Sequence, residues 1–157
     1  MKKIILSLAV VSFLWSCNST QKAATAKNEV DVTIDLVNVK DDKVQVAIVT
    51  PTFTTETATF LIPKTVPGTY SEDDYGRYVE NVKAFDAKGN ALKIAKTDEN
   101  IYVISEATKL AKITYLVNDT YDTESGAGFG EGDDVFSPAG TNINAGVNFM
   151  LNTHGFI

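Results

Sequence analysis

The chain has 157 residues, 44% apolar and 22% charged, and its 14 Lys+Arg against 20 Asp+Glu give a net charge of -6. That length supports one domain with a genuine core and is short for two. The acidic balance repels phosphate backbones and excludes nucleic acid as a partner, and a single cysteine excludes an intramolecular disulfide.

The first residues read as an export signal. Lys2 and Lys3 form a basic start, and Ile4 to Leu14 is apolar apart from Ser7 and Ser12. At about a dozen residues this run is short for a permanent membrane span. It closes on Leu14-Trp15-Ser16-Cys17, which resembles the bacterial lipobox, with Trp15 standing where a small residue is usual. The expected division is a signal peptide over 1–16, a lipid-anchored flexible tether over 17–29 and a β domain over 30–157. Cys17 is the expected lipid attachment, which anchors a periplasmic or cell-surface lipoprotein to a membrane without spanning it.

From Val30 the pattern has period two. Val30, Val32, Ile34 and Leu36 alternate with Asp31, Thr33 and Asp35, which predicts a half-buried strand. Lys40-Asp-Asp-Lys43 predicts a turn, and Val44, Val46 and Ile48 complete a hairpin. Thr57 to Ile62 is a third strand, closed by Pro63. Val79 to Phe85 is a fourth, followed by Asp86-Ala-Lys-Gly-Asn90, whose glycine suits a turn. Leu92–Ala95 and Ile101–Ile104 flank a turn at Thr97–Asn100, and Ile113, Tyr115 and Val117 alternate in the next strand. Outside the signal no helical period emerges. The predicted fold class is all-β, an antiparallel β-sandwich or open curved sheet.

The closing third differs. Ser125 to Asp134 is glycine-rich and acidic, Pro138-Ala-Gly140 makes a corner, and Val147 to Leu151 is a last apolar run. The chain stops on Phe156 and Ile157, and the expectation is a truncated domain whose next residues would bury them.

Hydrolytic chemistry finds little support. His154 is the sole histidine, and neither H-E-x-x-H nor G-x-S-x-G is present. A structural role is expected for it, and no metal or catalytic residue is assigned. Gly126-Ala-Gly-Phe-Gly-Glu-Gly132 lacks the strand-loop-helix setting of a phosphate loop, and Glu131, Asp133 and Asp134 would repel the anion. Asp119, Asp122, Glu124, Asp133 and Asp134 offer hard oxygens for calcium, but their spacing does not follow the twelve-residue calcium loop, so a mobile acidic loop is preferred. Glu72, Asp73 and Asp74 are adjacent, which splays them apart and suits solvated loop charge with Arg77 as partner.

The most informative stretch runs from Phe60 to Tyr78. A strand enters Pro63, turns at Pro67-Gly68, and meets Tyr70, Tyr75 and Tyr78 among Glu72, Asp73, Asp74 and Arg77. Tyrosines mixed with charges on such a corner predict a recognition or interdomain surface, with candidates Pro67, Gly68, Tyr70, Asp73, Tyr75, Arg77 and Tyr78. This strand-Pro-x-x-x-Pro-Gly-x-Tyr element resembles the N-terminal β domain of the glycyl aminopeptidases, which are zinc peptidases carrying a PDZ domain. Tyr75-Gly-Arg-Tyr78, Phe85-Asp-Ala-Lys-Gly89, Ile113-Thr-Tyr-Leu-Val117 and Asn152-Thr-His-Gly155 follow in the family's order.

The resemblance implies a catalytic domain and a PDZ domain beyond this one, or on a separate chain, with peptide as substrate. Zinc is expected only in that catalytic domain, and no cofactor in this chain. The chain would then be the non-catalytic N-terminal domain of a zinc aminopeptidase lipoprotein. It would shape one wall of the substrate cleft through the 63–78 loop and the C-terminal run. The alternative is a stand-alone β-sandwich lipoprotein binding a peptide, glycan or protein.

Overall fold

Alternating residues become sheet because each apolar face needs a partner to exclude water. The computed structural model describes residues 29–68, 72–120 and 140–157. The signal peptide, Cys17, most of the tether, Tyr70 and the glycine-rich acidic run lie outside the described residues. The strands are β1 (Asp31–Lys40), β2 (Lys43–Val49), β3 (Thr57–Leu61), β4 (Val79–Asp86), β5 (Ala91–Leu92), β6 (Ile94–Asp98), β7 (Ile101–Ser105), β8 (Leu110–Asn118), β9 (Asn142–Asn144) and β10 (Asn148–Met150). Helical structure is confined to the 3-10 turns Tyr75–Tyr78 and Ala107–Lys109 and to the single turn α1 (Thr153–Phe156). The all-β, antiparallel architecture expected from the alternation is therefore what forms.

Two sheets enclose the core. One has the order β1-β2-β8-β4-β5, the other β3-β7-β6, and β9 and β10 pair only with each other. Val46, Ile113, Tyr115 and Val117 from the larger sheet meet Tyr102 and Ile104 from the smaller. The ring of Phe60 stacks at 5.6 Å on that of Tyr115, which sets the edge of the smaller sheet over β8.

The first hairpin forms as its sequence dictates. Asp41 and Asp42 both have φ of 52°, the left-handed pair a two-residue hairpin needs to match strand twist. The inner face of β1 departs from expectation: Val30 is 56% exposed and Val32 and Leu36 also face water. β1 is the outermost strand of its sheet, and on this face Ile34 is the residue that packs against the core. Near its end β1 breaks register between Asp35 and Lys40. Asp35 Oδ1 accepts from the amides of Val37 and Asn38, both at 3.0 Å, and Asn38 Nδ2 donates to Asp35 Oδ2 at 2.7 Å. That closed turn removes part of the free edge from pairing with other chains.

The run around Leu92 to Ala95, expected as one strand, is two. Leu92 pairs with Ala84 in the larger sheet, and Ile94 pairs with Ile104 in the smaller. The chain changes sheets at Lys93, the kind of corner by which sandwiches share strands.

Candidate functional site

Pro63 ends β3 and turns the chain outward, and the loop it opens is closed again ten residues on. The Tyr75 amide donates to the Pro63 carbonyl at 3.2 Å and the Asp74 amide to the Lys64 carbonyl at 2.9 Å. Lys64 Nζ stands 3.1 Å from Glu72 Oε1 and 3.6 Å from Asp74 Oδ1. The hydrogen bond with Glu72, then the Asp74 charge, holds the Lys64 ammonium above its ordinary value. Lys64 is a cation paired with this carboxylate group, and the Arg77 guanidinium lies over the Tyr78 ring, 4.7 Å from its centroid.

The three adjacent carboxylates diverge. Glu72 is exposed, Asp74 accepts from Asn100 Nδ2 at 2.9 Å, and Asp73 is buried, accepting the Tyr75 hydroxyl at 2.9 Å. Asp74 has φ of 47°, a conformation that asparagine and aspartate tolerate better than most residues. It delivers the chain into the 3-10 turn, whose Gly76 amide donates to Asn100 Oδ1 at 2.7 Å. Glu72 and Asp74 thus share Lys64, while Asp73 turns inward to Tyr75.

The tyrosines correct the sequence reading. Tyr75 is 1% exposed and Tyr78 is 5% exposed, and Asp73 is buried with them. These three side chains are packed inside this domain. The covering element is the C-terminal turn: the Phe156 ring meets Tyr75 edge-on at 5.2 Å and Tyr78 at 6.3 Å. The Tyr115 hydroxyl donates to the Phe156 carbonyl. Asn152 Nδ2 donates to the Tyr75 hydroxyl at 3.1 Å. Burial, then the hydrogen bond to Asp73, pushes the Tyr75 phenol up to about 12. Burial also raises Tyr115. Of the loop residues singled out from sequence, Pro67, Gly68 and Arg77 are exposed.

Of the two apolar residues expected to await later sequence, Phe156 is 2% exposed and Ile157 is 42% exposed. His154, on α1, is exposed. Among the described residues no three His, Cys, Asp or Glu side chains come together as a metal site. Asp119, counted among possible calcium donors, is buried with Oδ2 accepting the Ile143 amide at 2.6 Å. The other four candidate donors lie outside the described residues. An apolar cleft of about 230 Å³ opens between the sheets beside Val30, Ile48, Phe53 and Phe60, and its only polar lining residues are Thr50 and Thr59. It offers neither acid, base nor ligand.

The sequence reading placed Asn100 in a turn and Asn152 in a motif but gave neither side chain a role. Asn152 carried a signal, since its side chain accepts the Gly155 amide at 3.2 Å as helix-capping residues do.

The peptidase M61 N-terminal domain family matches residues 31–157. The chain belongs to that family, the N-terminal domain of the M61 glycyl aminopeptidases, in agreement with the succession of motifs from Pro63 to Gly155. Among solved structures the fold is similar to a crystal structure of an aminopeptidase N family protein from Idiomarina loihiensis. The TM-score is 0.52 at 15% identity, over 58% of this chain and 15% of that one. This chain therefore spans a small part of that protein's length. No curated protein matches the sequence.

Proposed function

We propose that this chain is the non-catalytic N-terminal domain of a zinc metallopeptidase lipoprotein and packs against the catalytic domain to form one wall of the peptide cleft. The observation that carries this reading is the family match, which runs through both sheets and the C-terminal turn. Pro67, Gly68 and Arg77, exposed on the loop closed by Lys64, are the surface proposed for that contact. Zinc and peptide belong to the catalytic partner, and a PDZ domain completes it. Cys17 carries the lipid that holds the assembly at the periplasmic or cell-surface membrane.

The test mixes the purified chain with separately expressed catalytic and PDZ domains of a family member. Co-elution, with a lowered KM for a glycyl peptide, supports the reading. Separate elution and unchanged kinetics would remove it. Membrane fractionation of Cys17→Ser tests the anchor: the variant is expected in the soluble fraction, and retention in the membrane would refute lipidation at this residue.

A stand-alone lipoprotein that binds a peptide, glycan or protein is the second reading. Separate elution in the same experiment supports it.

A further inference from the structure

We propose that the free edge of β3 receives an extended peptide segment of another protein, one bulky apolar side chain of which enters the cleft beside Phe60. Among the described residues the two enclosing sheets end on β1, β5, β3 and β6. Exposed edges pair with foreign strands unless something blunts them. β1 is blunted by its register break and the Asp35 turn, and β5 is only 2 residues long. β6 carries Lys96 and Asp98 with a register break between them. β3 has none of these devices. Its 5 residues, Thr57–Leu61, hold no charge and no proline, pair with β7 in unbroken register, and leave Leu61 61% exposed.

In an antiparallel pair, alternate residues turn both backbone groups toward the partner strand. The Ile62 amide donates to the Asn100 carbonyl at 2.9 Å, so the alternation gives Phe60 and Ala58 to β7 and turns Thr59 and Leu61 outward. Thr57 follows the same parity, and its carbonyl accepts the Thr55 hydroxyl at 2.8 Å. Three consecutive β3 residues, Ala58, Thr59 and Phe60, line the apolar cleft together with Val30, Ile48 and Phe53, and no charged residue joins them. An added strand would lie about 4.8 Å from β3, with alternate side chains directed between the sheets, where the cleft lies.

The chemistry of the edge selects its occupant. Outward amides and carbonyls require a backbone, which an alkyl chain lacks, and the uncharged lining requires an apolar side chain. A second copy of β3 fails the second requirement, because its own Phe60 is packed on Tyr102 at 6.2 Å and on Tyr115 at 5.6 Å. The mode of recognition is therefore strand addition with a side-chain pocket. This edge is separate from the Pro67, Gly68 and Arg77 surface proposed for the catalytic contact, so a failure to bind a catalytic domain leaves it standing.

Hydrogen exchange on the full chain tests it. The probe is a capped peptide alternating threonine with valine around a central phenylalanine, with a lysine at each end for solubility. It is expected to slow the Thr59 and Leu61 amides by about tenfold or more, and those of Ala58 and Phe60 far less. The same peptide with alternate amides N-methylated, or with aspartate in place of phenylalanine, should lose the effect. Thr59→Pro deletes an outward amide that β7 does not use, so the chain should keep its thermal midpoint and bind the probe about tenfold less tightly. The peptide comparisons use the parent chain and stand even if that variant fails to fold. Uniform slowing, no slowing at millimolar peptide, equal slowing by either control peptide, or protection of the same amides by self-association without peptide would each overturn the proposal.

Discussion

Gly76 lies against the carbonyl of Glu99, so close that an added Cβ would stand 2.3 Å from that oxygen and 2.6 Å from Asn100 Oδ1. Both neighbours are held, one by the backbone and the other by its hydrogen bond to Gly76 itself. Gly76→Ala is therefore expected to cost about 3 kcal/mol through forced displacement of backbone. Gly89→Ala is the control: it has open space but φ of 85°, and should cost about 1 kcal/mol from conformation alone. Urea denaturation of the two variants checks the ranking.

Asn100 ties the turn between β6 and β7 to the 74–76 segment with one amide. Its oxygen takes the Gly76 amide and its nitrogen reaches Asp74, while 3% of the residue is exposed. Asn100→Ala would leave a buried backbone donor unpaired, at about 2 kcal/mol. The expected sign of the lesion is loss of protection at Gly76 beyond the loss at β8 amides, measured by hydrogen exchange.

Alkaline stability follows from Tyr75. Its phenol ionises at about 12 in the fold, against 10.0 ordinarily, so folding favours the protonated form. That contribution is complete below pH 10.0 and is lost as pH rises toward 12. Unfolding free energy should fall through this window, with tyrosinate absorbance rising as the chain unfolds. Tyr75→Phe should flatten the fall while costing about 1–2 kcal/mol at neutral pH, because Asp73 and Asn152 lose their shared partner.

Acid acts at the other end of the sheet. Lys43 Nζ donates to Glu80 Oε2 at 2.7 Å and Asn118 Nδ2 to Oε1 at 2.8 Å. The Lys43 bond, then the Asn118 bond, holds the Glu80 carboxyl below its ordinary 4.5. A lowered value means this stabilisation is present above pH 4.5 and is lost as pH falls through the lowered value. The pair is partly exposed, so solvent screening keeps it below about 1 kcal/mol. Glu80→Gln should reduce the acid sensitivity of the thermal midpoint, and an unchanged pH profile would contradict the assignment.

Asp35→Ala removes the acceptor that closes the Val37–Asn38 turn on the outermost strand. Stability should change little, since the site is exposed, but the freed edge carries Val32 and Leu36 beside it. Self-association is the expected outcome, seen as concentration-dependent sedimentation absent from the parent chain.

The sheet itself was legible in the sequence. Ile113, Tyr115 and Val117 alternate and are buried, and two aspartates mark the first turn. What escaped detection lies in long-range relations. Tyr75 and Tyr78 look like surface because a Pro-Gly corner and four charges surround them, and nothing local shows that Phe156 returns to cover them. The crossing at Lys93 is invisible for another reason: both sheets accept the same apolar alternation, so an uninterrupted pattern conceals a change of partner. Asn100 shows the third limit, because a buried amide in a turn reads like any polar turn residue until its partners are known.

Thr120 and Thr141 grip each other through backbone and hydroxyl together, with the Thr120 hydroxyl also 2.9 Å from the Thr141 carbonyl. With Asp119 Oδ2 taking the Ile143 amide beside it, the pair fixes the register in which β9 meets the end of β8. Thr120→Val would strip the buried Thr141 amide of its hydroxyl acceptor, a keystone lost for about 1–3 kcal/mol.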